Sequence, residues 1–401
     1  MNRLKNNYAN TYNRILLVYF FLCFFIAICF LSGCQKKNKQ VDEECFNYMI
    51  TEDSTFVSDV VEIYNSFSGV CVSTEEDKHK KIEKILQLIG EKGYIAVDIN
   101  NQINMTNCDI AECFLEAVDS GQAAKCSILN ILYNDSFVKF DFNFDKINVF
   151  VCRTYFIWDG EGLIEKQKEE YKAISWKYTG NYLFFERYRD GGFDGDSPYT
   201  VFRVKPMDDD NREYTEKYML CVGYDSNNLF ITEWNKDNLK ALNYYDLFEY
   251  FYKMKYGTNS PYGEDGVTYL IDEDIFEGVI KEFIDVSSDV LKEVCIYDEK
   301  QKKYQYRIRG MFDYGTTPLV PYPEVVEIKN NADGTITLKV NAVSIKDEND
   351  KLFMHKVTIK KKASGGFQYI SNEMLTMNKE GAYWYRDRLS DEEWVKHYGD
   401  R

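Results

Sequence analysis

The chain has 401 residues and a formal charge of −16, with 45% hydrophobic, 28% charged and 16% aromatic residues. This composition excludes a disordered polymer, a collagen-like chain and a polytopic membrane protein. The acidic balance argues against a general nucleic-acid binder, which needs positive charge to replace counterions along phosphates.

Arg3, Lys5 and Arg14 precede an unbroken apolar run from Ile15 to Leu31, and Ser32, Gly33 and Cys34 follow. A basic start, an apolar stretch and small residues before a cleavage point are the parts of a secretory signal. The ending Leu31-Ser32-Gly33-Cys34 resembles the lipobox of bacterial lipoproteins. That resemblance implies a signal peptide over 1–33, a diacylglycerol on Cys34 and a polar tether over 34–45. It also implies a body held at the extracytoplasmic face of the cell membrane by its lipid. An uncleaved anchor competes with this reading, because the apolar run is at the lower edge of what spans a bilayer. Loss of 1–33 removes Arg3, Lys5 and Arg14 and no acidic residue, so the remaining body is more acidic still. Anionic headgroups repel such a surface. The membrane is therefore expected as a partner through the lipid anchor alone, and no nucleic acid is expected.

Of the eleven cysteines, Cys23 and Cys29 leave with the signal and Cys34 is the lipid site. The others show no CxxC pair and read as small buried hydrophobes with free thiols, although export permits disulfides. Cys126, Cys152, Cys221 and Cys295 lie in apolar, strand-like runs. His79, His355 and His397 are too far apart in sequence to suggest zinc, and no cofactor is expected.

Along the body, residues 73–76 (Ser-Thr-Glu-Glu) read as a capping box. They open a helix with Ile82, Ile85, Leu86 and Ile89 on one face, stopped by Gly90 and Gly93. A second helix puts Ile110, Cys113, Phe114 and Ala117 on one face and ends before Gly121. From residue 126 the period becomes two. Val138, Phe140, Phe142 and Phe144 face one way, Lys139, Asp141 and Asn143 the other. Strands near 147–157, 171–179, 181–189 and 199–205 continue an antiparallel meander. Asp208 caps a short helix, 229–234 returns as a strand, and a helix over 243–256 has Tyr244, Leu247, Phe248 and Phe251 at core spacing.

Residues 257–266, rich in Gly, Ser, Pro and charge, are the expected linker between an α+β domain over 46–260 and a smaller one over 267–376. The smaller domain opens with an amphipathic helix carrying Phe276, Val279, Ile280 and Phe283. Strands around 303–310, 324–330, 334–343, 352–361 and 367–373 follow, with hairpin turns at Asp333-Gly334 and Gly365-Gly366. Residues 377–401 read as a charged, aromatic tail. The expected class is α+β: antiparallel meanders on a few amphipathic helices, in two domains. The closing hairpin, 355–360 with 366–372, is similar to that of uncharacterised surface lipoproteins of low-GC Gram-positive bacteria. It implies a compartment and no activity.

The chain contains no P-loop, GxGxxG, GxSxG or HExxH. His355 reads as a hydrogen-bonded strand residue and His397 as solvated. Paired carboxylates remain as a catalytic option. Glu186 is the candidate, since alternation groups it with Tyr182, Phe184 and Tyr188, whose rings could raise its pKa. An ion pair or an exposed rim position competes with that role. Asp190, Asp194 and Asp196 stand among glycines and could offer oxygens to calcium. Their spacing departs from the EF-hand pattern, and a wide hairpin loop is the better reading. Trp158, Trp176 and Trp234 could form a sugar-stacking platform if their strands adjoin, but aromatics serve a sheet core equally well.

The preferred function is a lipid-anchored extracytoplasmic binding or interaction module. The alternative is a surface glycan or peptidoglycan hydrolase using paired carboxylates. A second carboxylate about 5–9 Å from Glu186 in a cleft favours hydrolysis, and a flat solvated face favours binding.

Overall fold

A computed structural model describes residues 53–67, 74–190, 196–314, 319–377 and 381–399. The signal segment, Cys34, the tether, Cys45, Cys71 and Asp194 lie outside the described residues. The described part is α+β, with mostly antiparallel sheets.

The first half builds one sheet. Helices α1 (Asp53–Asn65) and α2 (Glu75–Glu91) precede strand β1 (Ile95–Asp98), and α3 (Cys108–Asp119) crosses over to β2 (Ala124–Ile131). Then β3 (Ser136–Phe144), β4 (Val149–Trp158), β5 (Leu163–Tyr178), β6 (Tyr182–Arg187) and β7 (Tyr199–Arg203) follow in spatial order. The pair β1–β2 is parallel, which requires a crossover, and α3 supplies it. The meander is as expected, but β1 is an addition. All of its residues are buried, so it carries no alternation to read.

Helix α2 starts one residue later than the 73–76 box suggests. Thr74 Oγ1 accepts the Asp77 N–H at 3.0 Å, and the Asp77 carboxylate accepts the Thr74 N–H at 3.1 Å. Gly90 lies inside the helix and stops nothing. A Cβ there would sit 2.9 Å from Thr106 Cβ, so this glycine permits close packing, while Gly93, at φ 91°, takes the turn.

The sheet curls on itself. Phe140 of β3 meets Phe185 of β6 at 5.6 Å and Phe202 of β7 at 5.4 Å. Asn101, just after β1, accepts the Arg203 N–H at 2.7 Å and donates to the Val201 carbonyl at 3.3 Å, tying the first strand's loop to the last strand. Register shifts at Tyr155/Phe156 and Ala173/Ser175 accommodate the bend. Inside the curl, Phe114 of α3 packs on Phe142 and Trp176, each at 6.0 Å. Outside it, Phe56, Ile85 and Ile89 of α1 and α2 bury Leu129, Ile131 and Phe137.

The second half runs through α4 (Asp209–Tyr214), a π turn (Thr215–Leu220) and α5 (Tyr244–Tyr256) to β8 (Thr268–Asp272) and α6 (Glu273–Phe283). It continues with α7 (Ser288–Val294), β9 (Tyr297–Asp298), β10 (Lys303–Arg307) and the antiparallel sheet β11 (Tyr322–Asn330), β12 (Thr335–Val343), β13 (Met354–Lys361) and β14 (Phe367–Met374). Helix α8 (Asp391–Tyr398) closes the chain. Asn243 caps α5 and Gly257 ends it at φ 71°. The turns at Asp333-Gly334 and Gly365-Gly366 connect β11 to β12 and β13 to β14.

Residues 257–266 do not separate cores. Phe248 stacks on Phe276 at 5.0 Å and Phe251 meets Phe283 at 4.9 Å, so the helices on either side share one core. The chain passes from one core to the other between Val204 and Tyr218 instead. Turn-rich composition reports where the backbone bends, and only packing decides which elements share a core. Residues 229–231 are turns, a single bridge joins Trp234 to Asn372, and Leu229, Phe230 and Ile231 all pack into the second core. The expected tail is docked, with Ala382, Trp384 and Trp394 buried. Cys221 and Cys295 terminate helical segments and are not in strands.

Candidate functional site

Register determines which side chains share the inner face of the curled sheet. Cys126, Phe142, Val151 and Tyr171 form one row. Ile128, Phe140, Arg153 and Glu169 form the next, and Asn130, Val138, Tyr155 and Gln167 the third. Helix α3 and Trp176 fill the space over the first row. The other two open onto a cavity of about 540 Å³ with Asn130, Arg153, Gln167 and Arg187 among its polar walls. Leu132, Val138 and Phe140 form an apolar wall. The cavity lies at the carboxyl ends of the parallel pair, where Ile99 and Leu132 follow β1 and β2. Asp98 holds that rim by accepting the N–H groups of Asn100, Gln102 and Ile103 at 3.1, 3.2 and 2.8 Å.

The charge in this cavity is incompletely matched. Arg153 Nη2 meets Asp196 at 3.0 Å, but the Asp196 side chain is 64% exposed. Arg153 Nη1 is buried and has no hydrogen-bond partner among the described residues. Asn130 Oδ1 is in the same condition on a residue only 8% exposed. Arg187 pairs with Glu169. Burial pushes its pKa down and the charges of Arg153 and Arg189 add to that, with Glu169 opposing. Guanidiniums thus crowd a partly desolvated concavity, each a planar fork suited to a carboxylate or phosphate.

Glu186 sits next to Arg187 in sequence but on the other face of β6. Its neighbours Tyr182 and Phe184 pack with Val343 of β12, while Tyr188 is 68% exposed. Burial raises the Glu186 pKa, the Glu348 charge raises it further, and a hydrogen bond from Tyr199 opposes them. Glu348 is held by the Ser175 hydroxyl. Neither carboxylate lines the arginine cavity. In the acidic loop, Asp190 accepts from the Tyr188 hydroxyl at 3.0 Å and Asp196 faces Arg153, so these two do not converge. Among the described residues no group of three His, Cys, Asp or Glu side chains could hold a metal ion.

The tryptophans form no common platform. Trp158 packs with Tyr64 at 5.8 Å, Trp176 lies inside the curl, and Trp234 is buried in the second core. His355 is fully buried. Its Nδ1–H donates to Asn372 Oδ1 at 2.6 Å and its Nε2 accepts from Tyr224 at 2.8 Å, a tautomer set by the Asn372 amide donating to the Thr232 carbonyl. His397 is exposed, with its ring stacked on Phe312 at 4.2 Å. The six described cysteines are free thiols, and burial pushes the Cys126 thiol up and the Cys295 thiol up to about 12, so neither is a ready nucleophile.

Sequence reading passed over Asn130, Arg153 and Arg187. The available signal was phase. Arg153 falls in step with Val149, Val151 and Tyr155, and Arg187 with Leu183 and Phe185, so each charge stands at a core-facing position. A family model described as "Family of unknown function (DUF6070)" matches residues 48–388, a span that includes every residue of the cavity. No curated protein matches, and no solved structure matches.

Proposed function

The chain belongs to the DUF6070 family, a family of unknown function, and from that premise we propose that it is a lipid-anchored extracytoplasmic binding protein whose curled sheet takes an anionic ligand. The observation that carries the binding role is the convergence of two largely buried guanidinium residues, Arg153 and Arg187, on the lining of one cavity. Two like charges held side by side and partly out of water repel, and an oxyanion taken up beside them offsets that repulsion. The apolar run, Ser32, Gly33 and Cys34 support the anchoring half.

Two measurements test this reading. Calorimetry of the full chain in detergent at low salt should show saturable binding of sulfate or phosphate, lost in Arg153→Gln. Absence of anion binding in the unaltered chain would overturn the site. Cys34→Ser should abolish fatty-acid labelling and leave 1–33 attached, and undiminished labelling would place the anchor elsewhere.

A second reading has one observation in its favour. Burial and then the Glu348 charge raise the Glu186 carboxyl, which suits a general acid beside a second carboxylate. If glycan hydrolysis is found, Glu186→Gln should remove it while anion binding at Arg153 persists.

A further inference from the structure

We infer that the β3–β4 turn end of the curled sheet is a membrane-contact surface, where Ile147, Phe150 and Ile174 enter an anionic lipid surface and Lys125, Lys146 and Lys172 meet its headgroups. The inference rests on the anchoring half of the reading above and adds which side of the body faces the lipid.

Three large apolar side chains stand in water at this end. Ile147 is 83% exposed in the β3–β4 turn, Phe150 41% at the start of β4 and Ile174 54% on β5. Register gathers them with the lysines. Lys125, Asn143, Phe150 and Lys172 form one cross-strand row on the outer face, and Ile174 follows two residues after Lys172. Strands lie about 5 Å apart and alternate residues on one strand about 7 Å apart, so the group is contiguous. The row borders an open groove of about 620 Å³, large enough to admit a phosphate-bearing headgroup. An exposed apolar patch rimmed by charge marks a contact surface.

Charge selects the partner. Lys125, Lys146 and Lys172 are exposed and form no ion pair among the described residues. The acids beside them are mostly engaged. Asp141 meets Lys139 at 3.1 Å and the Ser127 hydroxyl at 2.5 Å, and Asp145 accepts the N–H groups of Ile147 and Asn148 at 2.9 and 2.7 Å. Glu170 is the one carboxylate on the groove without such a partner among the described residues. Glu112, Glu116 and Asp119 of α3 act on Tyr178 from the inner side of the sheet. A body of net charge −16 with a local basic patch is turned by an anionic surface so that the patch faces it. From Cys34 to Asp53 the chain extends to at most about 65 Å, which lets an anchored body bring this end to the lipid.

The turn at the opposite end of β4 shows that folding does not require these residues. Asp159 there accepts the N–H groups of Glu161 and Gly162 at 2.9 and 2.8 Å, the same arrangement that Asp145 makes. Gly160 takes the left-handed position at φ 96°, where the β3–β4 turn has Lys146 at φ 86°. That conformation is easy for glycine and strained for a side chain. A lysine held there, followed by an isoleucine in water, points to a use outside the turn.

The test reads backbone hydrogen exchange of the full chain at 144–150, in vesicles and in detergent, with 158–163 as the internal control. In vesicles of phosphatidylglycerol and phosphatidylcholine, exchange at 144–150 should slow about fivefold or more, the factor that one lysine near anionic lipid contributes. Exchange at 158–163 should not change. Pure phosphatidylcholine should give a smaller effect. Replacing Lys125, Lys146 and Lys172 together by Glu, or Ile147 and Phe150 together by Ser, should remove the slowing, with 158–163 reporting an intact sheet. Equal exchange in vesicles and detergent overturns the inference, as does equal slowing at both turns or in both lipids. Slowing in detergent that grows with protein concentration overturns it in favour of a second copy of the chain. Fatty-acid labelling of Cys34 without slowing overturns this inference alone, whereas slowing without labelling overturns the acyl anchor and leaves the contact surface.

Discussion

Arg309 in the second core and Arg153 in the curled sheet are both guanidiniums taken largely out of water, with side chains 3% and 12% exposed. Arg309 directs Nε and Nη2 at Asp246, at 2.8 and 2.7 Å, and Nη1 at the Asp313 carbonyl at 2.7 Å. Asp246 also accepts from Arg388 at 2.8 Å and from the Tyr385 hydroxyl at 3.2 Å, which binds the docked C-terminal stretch to α5. Arg153 has one exposed carboxylate and, among the described residues, an unmatched buried donor. In the second core a buried charge is met from within the chain and locks tertiary structure. In the sheet Arg153 and Arg187 crowd one another beside a cavity, and the proposed anion site rests on that difference.

Mutation should split the two arginine sites. Asp246→Ala strands Arg309 and Arg388 together, and loss of a buried partner costs roughly 3–5 kcal/mol. Urea unfolding would show it, and a loss below about 1 kcal/mol would remove the scaffold role. The buried His355 gives the next largest effect. Its folded pKa is lowered to about 4 by burial, with the bond to Asn372 opposing. The unfolded imidazole takes its proton near pH 6.5, so stability is full above that pH and falls as pH drops toward 4, by about 3 kcal/mol in all. His355→Gln should flatten that limb, and an unchanged pH profile would show that His355 does not set it.

Arg153→Gln should behave unlike Asp246→Ala. Its ion pair is with an exposed partner and its charge crowds Arg187, so stability should shift by less than about 1 kcal/mol while anion-induced stabilisation disappears. A large loss of stability with anion binding retained would erase the contrast drawn above. Asp190→Ala, on the exposed side of the β6–β7 hairpin, should change stability by less than about 0.5 kcal/mol and leave calcium without effect on unfolding. A calcium-dependent midpoint in the unaltered chain that vanishes in this variant would restore the loop as a cation site.

Much of the fold was legible because it rests on neighbours in sequence. Caps at Asp208 and Asn243, the glycine at 257, the alternation over 137–144 and the turns at 333–334 and 365–366 all act within a few residues. Reading failed where distant segments took over. The strand expected over 229–234 became turns inside a core, the linker over 257–266 joined two helices of one core, and the tail found a bed for Trp384. Glu186 was singled out for the rings beside it, yet the next residue, Arg187, turns into the cavity. One step along a strand reverses the face, and because Tyr182 to Phe185 bury side chains on both faces of β6, phase alone marks Arg187 as core-facing without telling which face borders the cavity.

What the sequence by itself determined is therefore the α+β class, the order of most strands and the caps that begin and end the helices, since these depend on backbone propensity and on side chains within one turn or one pleat. The cavity belongs to tertiary structure alone. Asn130, Arg153 and Arg187 come from β2, β4 and β6, and they line one space only because the sheet curls until Phe140 touches Phe185 and Phe202. That curl follows from burying aromatic rings from both ends of the sheet against each other, a long-range gain in hydrophobic free energy that no stretch of neighbouring residues encodes.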